Sequence, residues 1–166
     1  MKNTIRRIGG IMGSTSVFGI GSAALILGSA LFPMSVQAAN EPQRATVEVD
    51  ISKVRNARGK VLVCLTSNAK TYPDCGKDPA SRKLALPASA TLTARFEDVP
   101  PGTYAIALIH DENGNNRMDL ALFLPKEGFG MSQNPKIGMG PPKFKNAQFV
   151  VSGSNIRLPI MMRYML

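Results

Sequence analysis

The densest run of polar side chains in the sequence is His110-Asp111-Glu112-Asn113-Gly114-Asn115-Asn116-Arg117-Met118-Asp119, and it includes the only histidine. Asp111, Asn113, Asn115 and Asp119 carry oxygen at positions 1, 3, 5 and 9 of a calcium-loop template, and a hard cation takes such a cage of oxygens. The template is incomplete. Its sixth position is Asn116 where glycine is expected, and its twelfth is Leu122 where a bidentate glutamate belongs, so Glu127 would have to fold back to replace it. The plainer reading is a structural turn, because short Asp and Asn side chains hydrogen-bond to nearby backbone and tolerate left-handed angles.

On paper His110, next to Asp111 and Glu112 and with Glu127 and Ser132 downstream, assembles into an acid–base site, and a small hydrolase built on His110, Asp111 and Glu127 requires these groups to converge around a substrate. No Gly-x-Ser-x-Gly elbow, His-Glu-x-x-His zinc pair or phosphate-cradling glycine loop accompanies them. A lone histidine at the end of an apolar strand reads first as a hydrogen-bonded structural residue. The expectation is therefore no enzyme and no cofactor, calcium being the one candidate. Candidate binding residues are His110, Asp111, Asn113, Asn115, Asp119, Lys126 and Glu127, with Lys126 and Glu127 placed to pair. In the Gly- and Pro-rich segment beyond them, Phe129, Met131 and Phe144 are expected to pack onto the core.

These residues need a scaffold, and the periodicity around them is that of strands. Thr46–Ile51 alternates apolar and polar residues, Asn56–Gly59 supplies a turn, and Lys60–Thr66 is rich in Val and Leu, so the two segments read as a hairpin. Ser67–Pro87 reads as a long irregular excursion. Thr91–Phe96 alternates again, and Thr103–His110 is apolar on both faces, which belongs in the middle of a sheet. The stretch from Asp119 to Lys145 is too broken by Gly and Pro for a helix. Asn146–Val151 and Asn155–Met162 close the chain as strands, with Ile156, Leu158, Ile160 and Met162 on one face. Six or seven short strands without an amphipathic helix predict an all-β fold, a small antiparallel β-sandwich.

The N-terminus addresses this domain. Lys2, Arg6 and Arg7 precede an uncharged stretch from Ile8 to Pro33, and Val36-Gln37-Ala38 then offers a cleavage site before Ala39. We expect a signal peptide at residues 1–38 and one domain at residues 39–166. A retained membrane anchor is the competing reading, since the stretch is long enough to span a bilayer. Cleavage removes three cations and no acid, lowering the net charge from +9 to +6. That excess is not clustered with aromatics, so the partner expected is an envelope or extracellular ligand and not nucleic acid. The expected location is the periplasm or the exterior. There the only two cysteines, Cys64 and Cys75, are expected to pair as a disulfide. A structural envelope protein, held to anionic polymers by its basic surface, is the further alternative.

Several blocks occur in a familiar order: Pro101-Gly102-Thr103-Tyr104-Ala105, His110–Asn115 with Asp119, Pro125–Ser132, and Gly140-Pro141-Pro142 with Phe144. Together they resemble the uncharacterised bacterial family called domain of unknown function 2141, from about Ala45 to the end. The resemblance implies an exported domain with a transthyretin-like or immunoglobulin-like sandwich, and no known activity. Asn116 stands where the family pattern has Gly, and Leu120-Ala121 where it often has a polar pair, which weakens the calcium reading for this member.

Overall fold

Alternation decides the first strand. The computed structural model describes residues 41–138, 140 and 142–166, and the leader expected at residues 1–38 lies outside them. In β1 (Ala45–Ser52) Ala45, Val47, Val49 and Ile51 are buried while Thr46, Glu48, Asp50 and Ser52 face outward, the period of two that a strand with one covered face produces. Then come β2 (Lys60–Thr66), a 3-10 turn at Cys75–Lys77, β3 (Arg82–Pro87), β4 (Thr91–Val99) and β5 (Gly102–Asp111). A short pair β6 (Leu120–Ala121) and β7 (Leu124–Pro125) precedes β8 (Gly128–Met131), one helical turn α1 (Phe144–Ala147), β9 (Phe149–Val151) and β10 (Ile156–Met161).

The protein is mostly β, arranged in several open sheets. One has the order β10-β1-β4; another runs β3-β2-β5-β8, with β9 also pairing with β5; β6 and β7 pair only with each other. Val47, Val49, Ile51, Phe96 and Ile160 from the first sheet share one apolar cluster with Val61, Val63, Leu65, Ile106 and Leu108 from the second. Burying such side chains is the main favourable term in folding, about 1.5–3 kcal/mol each. A smaller cluster of Ala105, Phe129, Met131 and Ala147 forms separately. Because Ala105 and Ile106 point to opposite faces of β5, this central strand is covered on both sides, as its unbroken apolar run predicts.

Four expectations are corrected. β1 and β2 are not a hairpin: they lie in different sheets, and Val54, buried in their connection, carries the chain across the core. The sheets are not purely antiparallel, since β10 runs parallel to β1 from Val47 opposite Ile156 to Ser52 opposite Met161. The excursion from Ser67 to Pro87 is not wholly irregular, because Leu84 and Leu86 of β3 pack on the core and make β3 an edge strand beside β2. The segment expected as a strand from Asn146 to Val151 begins inside the helical turn α1, so β9 is only three residues long. Among the described residues ten strands stand where six or seven were expected, the additional ones mostly two to four residues long.

Cys64 of β2 and Cys75 of the 3-10 turn form a disulfide, both buried, with Cα atoms 6.4 Å apart. The bridge fixes the start of the excursion against the sheet. Closing a loop of this size removes unfolded-state entropy worth about 3 kcal/mol. The double variant C64S/C75S is therefore expected to lose about 2–3 kcal/mol of unfolding free energy in denaturant titration, and an unchanged midpoint would show that the bridge contributes nothing.

Candidate functional site

β5 ends at Asp111, whose side chain is fully buried beneath the adjoining polar loop. One of its oxygens accepts N–H bonds from Gly114 and Asn115 at 2.8 and 3.0 Å, and the other accepts from Asn116 at 2.9 Å. Lys60 approaches the second oxygen to 3.9 Å. Satisfying several N–H groups of one turn with one carboxylate lets a charged group stay buried. The geometry also requires left-handed backbone at Gly114 and at Asn116, whose φ is 64°. Asparagine is one of the few non-glycine residues that takes this conformation readily, which explains how Asn116 serves at this point of the loop. Gly59 lies against the end of β5, where a Cβ would collide with the carbonyl oxygen of Asp111.

Glu127 does fold back. It is buried between β7 and β8, and its two carboxylate oxygens accept the N–H groups of Glu112 and Asp119, each at 3.2 Å. The two ends of the loop are thereby tied to one side chain. Burial raises the Glu127 pKa, opposed by the Asp119 backbone bond and reinforced by the charge of Asp111. Lys126, expected to pair with it, is exposed and instead donates its own backbone N–H to the carbonyl of Asp119 at 2.9 Å.

At the outer side of the loop, Asn113 and Asn115 donate side-chain amides to Asp119 at 2.6 and 3.0 Å. These donors hold the Asp119 carboxyl below its usual range, against a smaller effect of burial and with help from the Arg117 and Lys126 charges. The four residues of the calcium template are thus divided. Asn113, Asn115 and Asp119 meet, whereas both oxygens of Asp111 are committed to backbone. Among the described residues, no group of three or more His, Cys, Asp or Glu side chains is arranged to hold a metal ion.

His110 is fully buried and faces the opposite side of β5 from Asp111. Its Nε2 lies 2.9 Å from the carbonyl of Arg58, which can only accept, so Nε2 carries the proton. Nδ1 then accepts the Tyr164 hydroxyl at 2.8 Å, and that oxygen in turn accepts the N–H of Arg55. Ser132, equally buried, donates to the Ala147 carbonyl and accepts from the Ile106 N–H. Glu127 lies close enough to Asp111 to feel its charge, but His110 faces the other side of β5 and Ser132 stands beside Ile106, four residues back along that strand, and each spends its polar atoms on the protein itself.

Apart from Glu112, a member of the polar run, the side chains that brace this arrangement are not singled out as site candidates by the sequence pattern. Glu112 accepts from Arg55 at 2.6 Å, Asn56 at 3.1 Å and Arg58 at 3.2 Å. Burial raises its pKa, but the Asn56 and Arg55 hydrogen bonds and the Arg55 charge prevail and leave it lowered. Arg55 also reaches the carbonyls of Lys126 and Leu166 and covers the Tyr164 ring at 4.5 Å. Tyr164 has room because the residue beneath it is Gly128, whose Cβ would overlap the ring. No spacing rule links these residues, which come from four distant parts of the chain.

The β6–β7 hairpin is likewise absent from the sequence-based expectations. Beyond the base at Asp119 and Lys126 it projects Leu120, Leu122, Phe123 and Leu124, with Leu122 93% and Phe123 91% exposed. Leu122 occupies the first position of a two-residue turn with φ 56°, where hairpins ordinarily use Gly or Asn. The signal available in sequence is the run Leu120-Ala121-Leu122-Phe123-Leu124 itself, an apolar segment without the alternation that would bury one face.

Compared with known proteins, the chain matches a family model described as "Uncharacterized protein conserved in bacteria (DUF2141)" over residues 49–158. No curated protein and no solved structure matches it.

The raised Glu127 pKa has a definite sign in stability. The folded state keeps this proton to higher pH than the unfolded chain, so the contribution is full below the ordinary value of 4.5 and is lost as pH rises through the raised value. E127Q removes that titration while costing about 1 kcal/mol for a mismatched N–H contact. The stability advantage of wild type over E127Q is expected to shrink from pH 4.5 upward in urea titrations at successive pH values. An advantage that grows with pH would contradict the burial argument.

Proposed function

The chain belongs to the bacterial family DUF2141, and on that premise we propose that it is an exported, non-catalytic binding module acting in the periplasm or outside the cell. The fold is read as an immunoglobulin-like or transthyretin-like β-sandwich, because two sheets share one apolar core. Export is supported by the leader-like residues 1–38 and by the disulfide joining the only two cysteines. The functional surface is the end of the sandwich formed by the Asp111–Asp119 loop, the β6–β7 hairpin and the segment from Lys126 to Ser132.

The observation that carries this reading is the apolar hairpin tip, 91–93% exposed at Phe123 and Leu122, standing on a loop braced from below. Keeping large apolar side chains in water is unfavourable for an isolated domain, and an exposed apolar patch marks a surface that meets a partner. Rigid scaffolds place recognition in such end loops. The hydrolase alternative has weaker support, because His110 has both ring nitrogens engaged and is fully buried. Catalytic acid–base groups need access to a substrate.

The test is retention on washed envelope membranes from the producing cell. L122S/F123S is expected to bind about tenfold more weakly or worse, with an unchanged melting temperature. R95A, on the outer face of the β10-β1-β4 sheet, where Arg95 pairs with Glu48 at 2.7 Å, is expected to bind as wild type does. Repeating the assay with a chelator separates a cation-dependent loop from a cation-independent one. Equal retention of L122S/F123S and wild type would remove the proposed surface.

A further inference from the structure

Resting on the binding reading above, we infer that the occupant of the hairpin tip is a lipid membrane with anionic headgroups, into whose interface Leu122 and Phe123 insert. Shape favours a membrane over a protein partner. The tip is a two-residue turn between two-residue strands, a convex point with four exposed large apolar side chains at Leu120, Leu122, Phe123 and Leu124. A stable protein interface buries about 800 Å² on each partner, and so small a projection falls short of that. A bilayer interface accepts an isolated apolar point, because apolar side chains enter the acyl boundary while their polar flanks stay among headgroups.

The placement of charge favours an anionic surface. Around the hairpin base the acids are turned inward: Asp111 and Glu127 are buried, Glu112 has a side chain only 7% exposed, and Asp119 is held by Asn113 and Asn115. The most exposed charges are cations. Lys126 comes directly after β7, and Arg117 and Arg58, with side chains 77% and 74% exposed, each reach an acid with one nitrogen, Asp119 at 3.6 Å and Glu112 at 3.2 Å, and turn the rest of the guanidinium to solvent. An apolar tip ringed by outward cations complements an anionic lipid surface, where each basic residue near the headgroups adds attraction. Net charge acts in the same direction, at +9 for the full sequence and +6 without residues 1–38. Among the described residues no helix is long and apolar enough to cross a membrane.

The backbone marks the same point. Leu122 holds a left-handed φ of 56° at a turn position that favours Gly, and a bulky residue in that region is an outlier. Such local cost clusters at sites that bind or switch. At the tip of a hairpin the Leu122 side chain contributes nothing to the core.

The sequence contains no tryptophan, so F123W places a single indole at the tip and reads that point alone, whatever the rest of the chain does. The protein recovered from producing cells is mixed with vesicles of phosphatidylethanolamine and phosphatidylglycerol, and with vesicles of phosphatidylcholine alone. Expected are a blue shift of the F123W emission and quenching by brominated acyl chains with the anionic vesicles, both weaker with the neutral ones. L122S/F123S is expected to lower affinity for the anionic vesicles by about tenfold or more, and R117E/K126E to lower it several-fold and reduce its salt dependence. An F123W emission that neither shifts nor is quenched overturns the lipid assignment. If L122S/F123S nonetheless loses retention on envelope membranes, the binding surface stands and its partner is a protein or polymer; if retention is unchanged as well, both readings fall together.

Discussion

Two carboxylates held out of water decide the form of this end of the molecule. Asp111 and Glu127 are both buried, and a buried carboxylate is costly unless its oxygens find donors. Here most of those donors are backbone: three N–H groups of the loop for Asp111, and the N–H groups of Glu112 and Asp119 for Glu127. The loop therefore cannot take another course without leaving either its own N–H groups or these acids unsatisfied. The same constraint sets the position of the hairpin, since Asp119 both donates its N–H to Glu127 and immediately precedes β6.

A second layer fixes the constraint to the rest of the fold. Arg55, from the connection between β1 and β2, binds Glu112 at one end of the loop, the Lys126 carbonyl at the other, and the chain end at Leu166. Tyr164 lies under that guanidinium and links it through its hydroxyl to buried His110. Burial keeps the Tyr164 pKa raised, so the hydroxyl stays a donor. The only histidine is thus a structural connector in a network where, among the described residues, every buried side-chain nitrogen and oxygen has a partner.

The sequence revealed what depends on local pattern. Alternation identified β1, β4 and β10, and the unbroken apolar run of β5 identified its central place. Partner choice was not legible: Val54 looks like a residue of a hairpin connection, and only packing shows it carrying the chain between sheets. Leu84 and Leu86 of β3 are hidden in a segment bounded by Arg82-Lys83 and Pro87. At the site, the polar turn from Asp111 to Asp119 is legible, because Asp and Asn signal that backbone chemistry directly. Arg55 and Tyr164 are not legible there, since their meeting with Glu112 depends on long-range topology. The Leu120–Leu124 run was visible, but the general habit of apolar residues is burial, and sequence does not announce the exception.

A polar loop with charged foundations thus carries an apolar point into solvent, and the rigidity of the foundation is the central physical claim. Amide hydrogen exchange measured residue by residue by NMR tests it most directly, in wild type and in D111A. The N–H groups of Gly114, Asn115 and Asn116 are predicted to be protected in wild type despite their exposed loop, and to exchange near the free-chain rate in D111A. Protection at Glu112 and Asp119, held by Glu127, should persist, and the amides of β1 and β5 should report an intact fold. Exchange of the Gly114, Asn115 and Asn116 amides at the free-chain rate in the wild-type protein would contradict the account.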